Sequence, residues 1–147
     1  MINSNNKPLE LFRTEEQSKH FITISDSPAR AGFPSPADDH LENKLDLNKV
    51  LVKNPATTFF ARVKGDSMNG EGVEDGDMLI IDKSVDPYEN CLAVCFLDGD
   101  FTLKRVKLDG NNVFLMPSNP KYKPIRVSRE NDFYIWGIVR YLIKKCK

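Results

Sequence analysis

The chain has 147 residues, enough for one folded domain plus a short additional segment. Hydrophobic residues make up 40% and charged residues 29%, and the 21 basic residues balance the 21 acidic ones, so no net charge favours direct binding to nucleic acid. No apolar stretch reaches the roughly 18–20 residues that span a bilayer and the first residues lack a secretory signal, so we expect a cytoplasmic protein without a membrane anchor.

The first 40 residues are predicted to form an extended N-terminal arm. They are rich in Asn, Ser, Glu and Lys and show no sustained apolar period, which is typical of chain outside a packed core. Within the arm, Phe21–Ile24 has the composition of a short strand. Asp46 then predicts the N-cap of a short helix over residues 47–53, which Asn54 and Pro55 end.

From residue 57 onward the pattern changes to strands. Apolar and β-branched runs alternate with turns, of which Asp98-Gly99 and Asp109-Gly110 are strong hairpin signals. Residues 91–117 should therefore form a three-stranded meander. The fold class that this pattern predicts is mainly β, a partly closed barrel or sandwich with an extended N-terminal arm and a short helix. The predicted strands are 57–63, Met78–Asp82, Leu92–Leu97, 101–108, Asn112–Met116 and Phe133–Ile143, with a bend or bulge at Gly137 in the last of them.

The three cysteines, Cys91, Cys95 and Cys146, are interpreted as buried thiols. Cys91 and Cys95 are four residues apart, which is not the C-x-x-C spacing of a metal or redox site, and no histidine cluster accompanies them. We therefore predict no metal site and no cofactor.

Ser67 is a candidate nucleophile, although a serine in the stretch KGDSMNGEG is by itself an ordinary turn residue. A nucleophilic serine needs a base to activate it. The two histidines, His20 and His40, lie in or next to the arm and leave a Ser-His-Asp set open. The other recurring base is a lysine, and Lys104 in the predicted strand FTLKRV is the candidate.

Strand alternation places Lys104 on the same face as Thr102 and Val106. On this pattern alone, an exposed strand lysine is the ordinary interpretation. To act as a base, the amine must lose its proton near neutral pH, which requires its pKa to fall by about 3 units from ~10.4. Burial has this effect because desolvation disfavours the charged amine.

Six short motifs follow one another along the chain: GFPSPADD, DLNKVL, KGDSM, EDGDMLIID, DGDFTLKRV and the GIV of the last strand. In this order and spacing the chain resembles the UmuD-type proteins of bacterial SOS mutagenesis, relatives of the LexA repressor among the self-cleaving serine peptidases. The resemblance implies a LexA/UmuD-like C-terminal peptidase domain. It also implies that Ser67 is the nucleophile and that Lys104 is the general base.

The same resemblance implies a cleavage site. Members of the family cut themselves just before the glycine of a GFPSP-like segment, which maps to the bond between Ala31 and Gly32. The cut would separate an arm, residues 1–31, from a peptidase and dimerisation domain, residues 32–147. UmuD-type sites often have Cys before the glycine, and Ala-Gly is usual in LexA-like repressors. Because only 31 residues precede the bond, we expect the UmuD branch rather than a LexA-like repressor fragment.

The resemblance implies partners as well. RecA filaments on single-stranded DNA would stimulate the cut, and the processed form would homodimerise and join a Y-family polymerase subunit of the UmuC type. It would then serve as the accessory subunit of an error-prone translesion polymerase such as polymerase V. In the arm, Leu9, Leu11 and Phe12 of PLELF are similar to the short Leu/Phe peptides that dock on the sliding clamp. The alternative is a chance apolar cluster.

Two other functions stay open. A non-enzymatic β-domain acting as a polymerase or clamp interaction module would use Ser67 and Lys104 as ordinary turn and strand residues. A trans-acting enzyme resembling a signal peptidase would also use a serine and a lysine, but the lack of a membrane segment disfavours it. Absence of self-processing would favour the interaction module.

Overall fold

A computed structural model describes residues 9–13, 21–24 and 43–146. These residues form an eight-stranded sheet and a two-stranded sheet, and the predicted mainly β class is confirmed. No helix in these three ranges is long and apolar enough to cross a bilayer. The elements are β1 (Leu9–Arg13), β2 (Phe21–Ile24), β3 (Asn43–Asp46), α1 (Leu47–Leu51), β4 (Thr58–Val63), β5 (Met78–Asp82), β6 (Leu92–Leu97), β7 (Asp100–Asp109), β8 (Asn112–Met116), β9 (Ile125–Val127) and β10 (Phe133–Ile143).

The large sheet has the strand order β1-β4-β5-β10-β6-β7-β8-β9, and all of its neighbouring strands are antiparallel. It curls strongly, because β1 contacts β7 although four strands separate them in the sheet. The predicted meander over residues 91–117 is present as β6, β7 and β8. The curl matters for function because it brings the turn after β4 close to β7.

Strand alternation divides the core into two clusters on opposite faces of the sheet. In β6, Val94 belongs to one cluster while its neighbours Ala93 and Cys95 belong to the other. The first cluster contains Leu9, Ala61, Val63, Met68, Val73, Leu79, Ile81, Val94 and Leu103. The second contains Cys91, Ala93, Cys95, Val106, Leu115 and Ile138.

The predicted helix start is confirmed, and the helix ends earlier than expected. The Asp46 side chain accepts a hydrogen bond from the Asn48 backbone N–H at 3.0 Å, as an N-cap residue should. The last helical residue is Leu51, because Val52 has left the helical conformation (φ −118°, ψ 84°). A five-residue helix without buried residues contributes little to the core.

Gly137 marks an irregularity in the last strand, as predicted. The pairing of β10 with β6 shifts register between Ile135 and Gly137, and its pairing with β5 shifts again between Val139 and Tyr141. A Cβ atom at position 137 would lie 2.5 Å from Ile81 Cγ2, so only glycine allows this close approach of the two strands. The bulge lets β10 bridge two halves of a curled sheet.

Three short strands were absent from the sequence prediction: β1, β3 and β9. Each has three to five residues and includes charged side chains, so none shows a sustained alternation. β3 pairs with the predicted β2, and the segment 25–42 that joins these two strands contains Ala31 and Gly32. Both of these residues lie outside the described residues.

Candidate active site

Ser67 lies in the turn that follows β4. Gly65 enters this turn with φ +95°, a conformation that glycine adopts readily, and a single 3-10 turn over Asn69–Glu71 follows the serine. The side chain of the next residue, Met68, is buried in the core and holds the turn against it. Ser67 itself is half-buried, so its hydroxyl is held at the surface of the core rather than inside it.

Lys104 lies in the middle of β7, directly opposite the small side chain of Ala93 on β6. Only 6% of the lysine is exposed, which is unusual for this residue type. The ordinary interpretation of an exposed strand lysine is therefore wrong for this position. Ala93 and Val106, its neighbours on the pleated surface, are both buried and apolar.

The Lys104 amine and the Ser67 hydroxyl are in direct contact. Lys104 Nζ lies 3.1 Å from Ser67 Oγ, 2.9 Å from Thr102 Oγ1 and 3.0 Å from the Leu103 carbonyl oxygen. A neutral amine has two N–H donors and one lone pair. Thr102 Oγ1 and the Leu103 carbonyl oxygen can accept hydrogen bonds from the two N–H groups. The lone pair is then left to accept a hydrogen bond from the Ser67 hydroxyl. This is the geometry that a general base needs.

Burial lowers the pKa of Lys104 from its ordinary value near 10.5, because the charged amine has lost its water. The nearby Cys95 thiol acts in the opposite direction, since a thiolate there would favour the ammonium form. Burial also raises the pKa of Cys95 to about 12, so this thiol stays protonated and uncharged at neutral pH. The net effect is a lysine that gives up its proton more easily than a lysine in water.

A loop after β8 holds the serine turn in place. The Ser118 N–H donates to the Ser67 carbonyl at 2.9 Å, and Asn119 Nδ2 donates to the Asp66 carbonyl at 2.8 Å. In return the Gly70 N–H donates to the Ser118 carbonyl at 2.7 Å. A Cβ atom at Gly70 would lie 2.2 Å from that same carbonyl oxygen, so the two segments pack at backbone distance.

The same loop contacts the turn from its exposed side. The Tyr122 hydroxyl donates to Asp66 Oδ1 at 2.7 Å, and Lys121 Nζ lies 3.7 Å from Asp66 Oδ2. The Tyr122 hydrogen bond, with the Lys121 charge beside it, lowers the pKa of the Asp66 carboxyl. Asp66 is therefore anionic at neutral pH and ties the loop to the residue before the serine.

Ser67 and Lys104 line an open cleft of about 440 Å³. A cleft of this volume can take a short extended stretch of polypeptide. Its walls combine charged and apolar groups and also include Lys64, Gly65, Asp66, Leu97, Asp100, Thr102, Tyr122, Lys123 and Ile125. Ser67 also lines a second, small pocket, whose other lining residues include the apolar side chains of Leu9, Val63, Met68 and Leu103.

The other predicted site residues are placed as follows. Leu9 is buried in the core, Leu11 is half-buried against it, and the backbone of Phe12 pairs with Phe60 of β4. The predicted clamp-binding residues thus belong to a strand of the sheet. The cleavage-site residues and both histidines lie outside the described ranges, so neither the proposed scissile bond nor a Ser-His-Asp set is represented.

The cysteines do not form a metal site in the part of the chain that the structure covers. Cys91 and Cys95 are buried free thiols, as predicted. Cys146 is also a free thiol but is exposed, so the prediction of burial is wrong at this position, which follows the last strand. Among these residues no group of three or more His, Cys, Asp or Glu side chains is arranged to hold a metal ion.

Two sets of supporting residues were not identified from the sequence. Thr102 shares a face with Lys104, and this i−2 relation was a usable signal for a hydrogen-bond partner of the amine. Ser118 and Asn119 gave no such signal, because they are about fifty residues from the serine along the chain and meet it only in the folded state.

Comparison with known proteins gives one family. The family model described as Peptidase S24-like matches residues 23–140, a range that includes Ser67 and Lys104. Protein SamA of Salmonella typhimurium is 39% identical over 117 residues, covering 80% of this chain and 81% of its own. Protein ImpA of Escherichia coli is 36% identical over 124 residues, covering 80% of each chain. Protein MucA of Escherichia coli is 32% identical over 135 residues, covering 90% of this chain and 92% of its own.

Proposed function

The chain belongs to the Peptidase S24-like family, and from this premise we propose that it is a self-cleaving serine endopeptidase of SOS mutagenesis. It cuts its own Ala31–Gly32 bond, with Ser67 as the nucleophile and Lys104 as the general base. The observation that carries the proposal is the 3.1 Å distance between a buried lysine amine and a serine hydroxyl in a peptide-sized cleft.

The proposed reaction has two steps. In the first, neutral Lys104 takes the Ser67 hydroxyl proton as Oγ forms a bond to the Ala31 carbonyl carbon. The carbon–nitrogen bond to Gly32 then breaks, and the Lys104 ammonium gives its proton to the departing amine. Backbone N–H groups of the turn around Ser67 stabilise the oxyanion.

In the second step, water hydrolyses the ester between Ala31 and Ser67. Lys104 takes a proton from the attacking water and returns it to Ser67 Oγ as the ester bond breaks. The arm, residues 1–31, leaves with a free carboxylate, and residues 32–147 keep the peptidase domain. Because the substrate is tethered, the observed rate depends on the equilibrium fraction of chains whose 25–42 segment occupies the cleft, multiplied by the rate of the chemical step, rather than on a bimolecular encounter.

The proposed partners follow from the resemblance to UmuD-type proteins. A RecA filament on single-stranded DNA would favour the conformer in which the segment enters the cleft and so accelerate the cut. The product would homodimerise and join a UmuC-type subunit as the accessory subunit of a translesion polymerase. Docking of Leu9, Leu11 and Phe12 on a sliding clamp would first require β1 to leave β4, because Leu9 is buried.

The experiment is alkaline incubation of the purified full-length protein, followed by intact mass spectrometry. We expect the parent to yield two fragments, of which the larger begins at Gly32, and activated RecA filaments to increase the rate at neutral pH. Ser67→Ala should stay intact under both conditions. Ser128→Ala is the matched control, because Ser128 is exposed and its hydroxyl donates a hydrogen bond to Asn131, away from the Ser67 turn. An uncut parent under both conditions would instead support a non-enzymatic interaction module.

A further inference from the structure

Residues 9–13 precede the proposed cut and nevertheless form part of the folded sheet. β1 pairs with β4 over five consecutive residue pairs, from Leu9 opposite Val63 to Arg13 opposite Phe59. β1 is the end strand of the eight-stranded sheet, so β4 would be the end strand without it. The unpaired N–H and C=O groups of such an edge can pair with another extended peptide.

The side chains of β1 show what chemistry this edge accepts. Leu9 is 5% exposed and enters the core beside Val63, and it lines the small pocket next to Ser67. Leu11 packs partly against the same core cluster. Between them Glu10 forms an exposed ion pair with Arg62 of β4, with 3.3 Å between Oε2 and Nη1. The edge is thus complementary to an apolar–acidic–apolar strand.

We propose that the β4 edge is a strand-docking site for an extended, leucine–acidic–leucine segment of a partner protein, and that the uncut chain blocks this site with its own residues 9–13. The inference rests on the proposed function, because a cut after Ala31 removes the covalent tie that keeps β1 close. A tethered strand competes at an effective concentration on the order of millimolar. A released one is diluted, and the site opens.

Binding of this kind obtains affinity from main-chain hydrogen bonds and selectivity from pockets for alternate side chains. The pocket that the Leu9 side chain fills is the main source of selectivity, because residues of the core surround this side chain. The Arg62 charge contributes less, since the pair is exposed to solvent.

The test uses the full-length chain in a Ser67→Ala background, so that its outcome does not depend on self-cleavage. Leu9→Glu places a carboxylate in the core position and should displace β1 from the edge. The probe is a fluorescent peptide of residues 6–15, NKPLELFRTE, and binding is followed by fluorescence anisotropy. We expect the peptide to bind the Leu9→Glu protein about tenfold or more tightly than the parent, whose own strand competes.

Leu108→Glu is the matched control, because Leu108 lies on β7 and is 47% exposed. It should bind the peptide no better than the parent. A peptide carrying Glu in place of Leu9 should not bind any of the proteins. Leu9→Ala, which shortens the anchor without adding a charge, should give a smaller gain and keeps the test decisive if Leu9→Glu does not fold.

Equal binding of the peptide to the parent and Leu9→Glu proteins would overturn the proposal. Equal binding of the unmodified peptide and of the peptide with Glu in place of Leu9 would also overturn it. Sedimentation tests a second copy as the occupant. If Leu9→Glu lowers the oligomeric state and Leu108→Glu does not, β1 docks on another copy of the chain and the partner assignment is wrong. Failure of the peptide assay leaves self-cleavage untouched, and failure of self-cleavage leaves the peptide assay untouched.

Discussion

Replacement of Lys104 by methionine tests the proposed base with the least change in shape. Methionine keeps most of the unbranched side chain that packs opposite Ala93, but it has no proton acceptor for the Ser67 hydroxyl. Lys104→Arg is the companion variant, because a guanidinium keeps the positive charge and does not lose its proton in proteins. Both variants should stop self-cleavage, the first for lack of a base and the second for lack of a neutral one.

The size of the effect follows from the contacts of Lys104. Within the described part of the chain, Lys104 Nζ is the titratable group that contacts Ser67 Oγ, so no second base stands ready to replace it. A positioned general base contributes about 10²–10⁴ in rate, or roughly 3–5 kcal/mol in the activation free energy. We therefore expect the Lys104→Met rate to fall by at least about a hundredfold.

The pH dependence provides an independent measure of the same group. Because burial lowers the Lys104 pKa, the parent rate should rise with pH and level off below the pH at which an exposed lysine titrates. The assay is the loss of intact chain at a series of pH values, followed by mass spectrometry. Any residual cutting by Lys104→Met should lack this rise.

Stability should report the same shift with a defined sign. Between the lowered folded pKa and the unfolded value near 10.5, the unfolded chain binds a proton at Lys104 and the folded chain does not. The free energy of unfolding of the parent therefore gains a positive slope with pH in this window. Lys104→Met lacks the group, so its stability relative to the parent should fall as the pH rises from neutral towards 10.5, measured by urea denaturation.

Lys107→Met is the matched control, because Lys107 lies on the same strand, β7, but is exposed and does not line the cleft. It should cut at nearly the parent rate with an unchanged pH profile. The reasoning would be refuted if Lys104→Met cut within a fewfold of the parent, or if Lys107→Met removed the pH dependence instead.

Three further predictions concern the surroundings of the site. Thr102→Val removes one acceptor of the Lys104 amine and should slow cutting about 2- to 10-fold at high pH, whereas Thr102→Ser should not; equal rates would exclude a positioning role. Asn119→Ala removes a buried side chain that holds the serine turn and should lower the free energy of unfolding by about 1–3 kcal/mol in thermal or urea denaturation. An unchanged unfolding midpoint would contradict this prediction. Iodoacetamide should label Cys146 in the folded protein and spare Cys95, whose pKa is about 12, until denaturant is added; early labelling of Cys95 would contradict its burial.

Much of the fold was accessible from the sequence because its signals are local. The bounds of β5, β6, β8 and β10 match the predicted strands, since each is an apolar run closed by a turn. Both residues of the Asp98-Gly99 turn have positive φ, as a tight hairpin requires. The bulge at Gly137 and the cap at Asp46 could also be predicted, because each depends on the type of a single residue.

The sequence by itself also determined which residue types were available for the chemistry: one serine in a glycine-containing turn and one lysine in a strand, 37 positions apart. Only the tertiary structure decided that this lysine is buried rather than exposed. Pattern alone favours exposure, and burial depends on the whole surface that packs around the amine. The curl of the sheet sets the distance between the two side chains.

The tertiary structure likewise decided the place of the arm's first strand. The stretch LELFR is too short and too charged for its sequence pattern to predict a strand. It forms one because its backbone pairs with the edge of β4 and because the Leu9 side chain packs into the core. The hydrogen bond from Asn119 to the Asp66 carbonyl likewise joins segments that are far apart in the sequence. Local conformation follows from neighbouring residues, but the proximity of distant groups follows from packing that no short stretch contains.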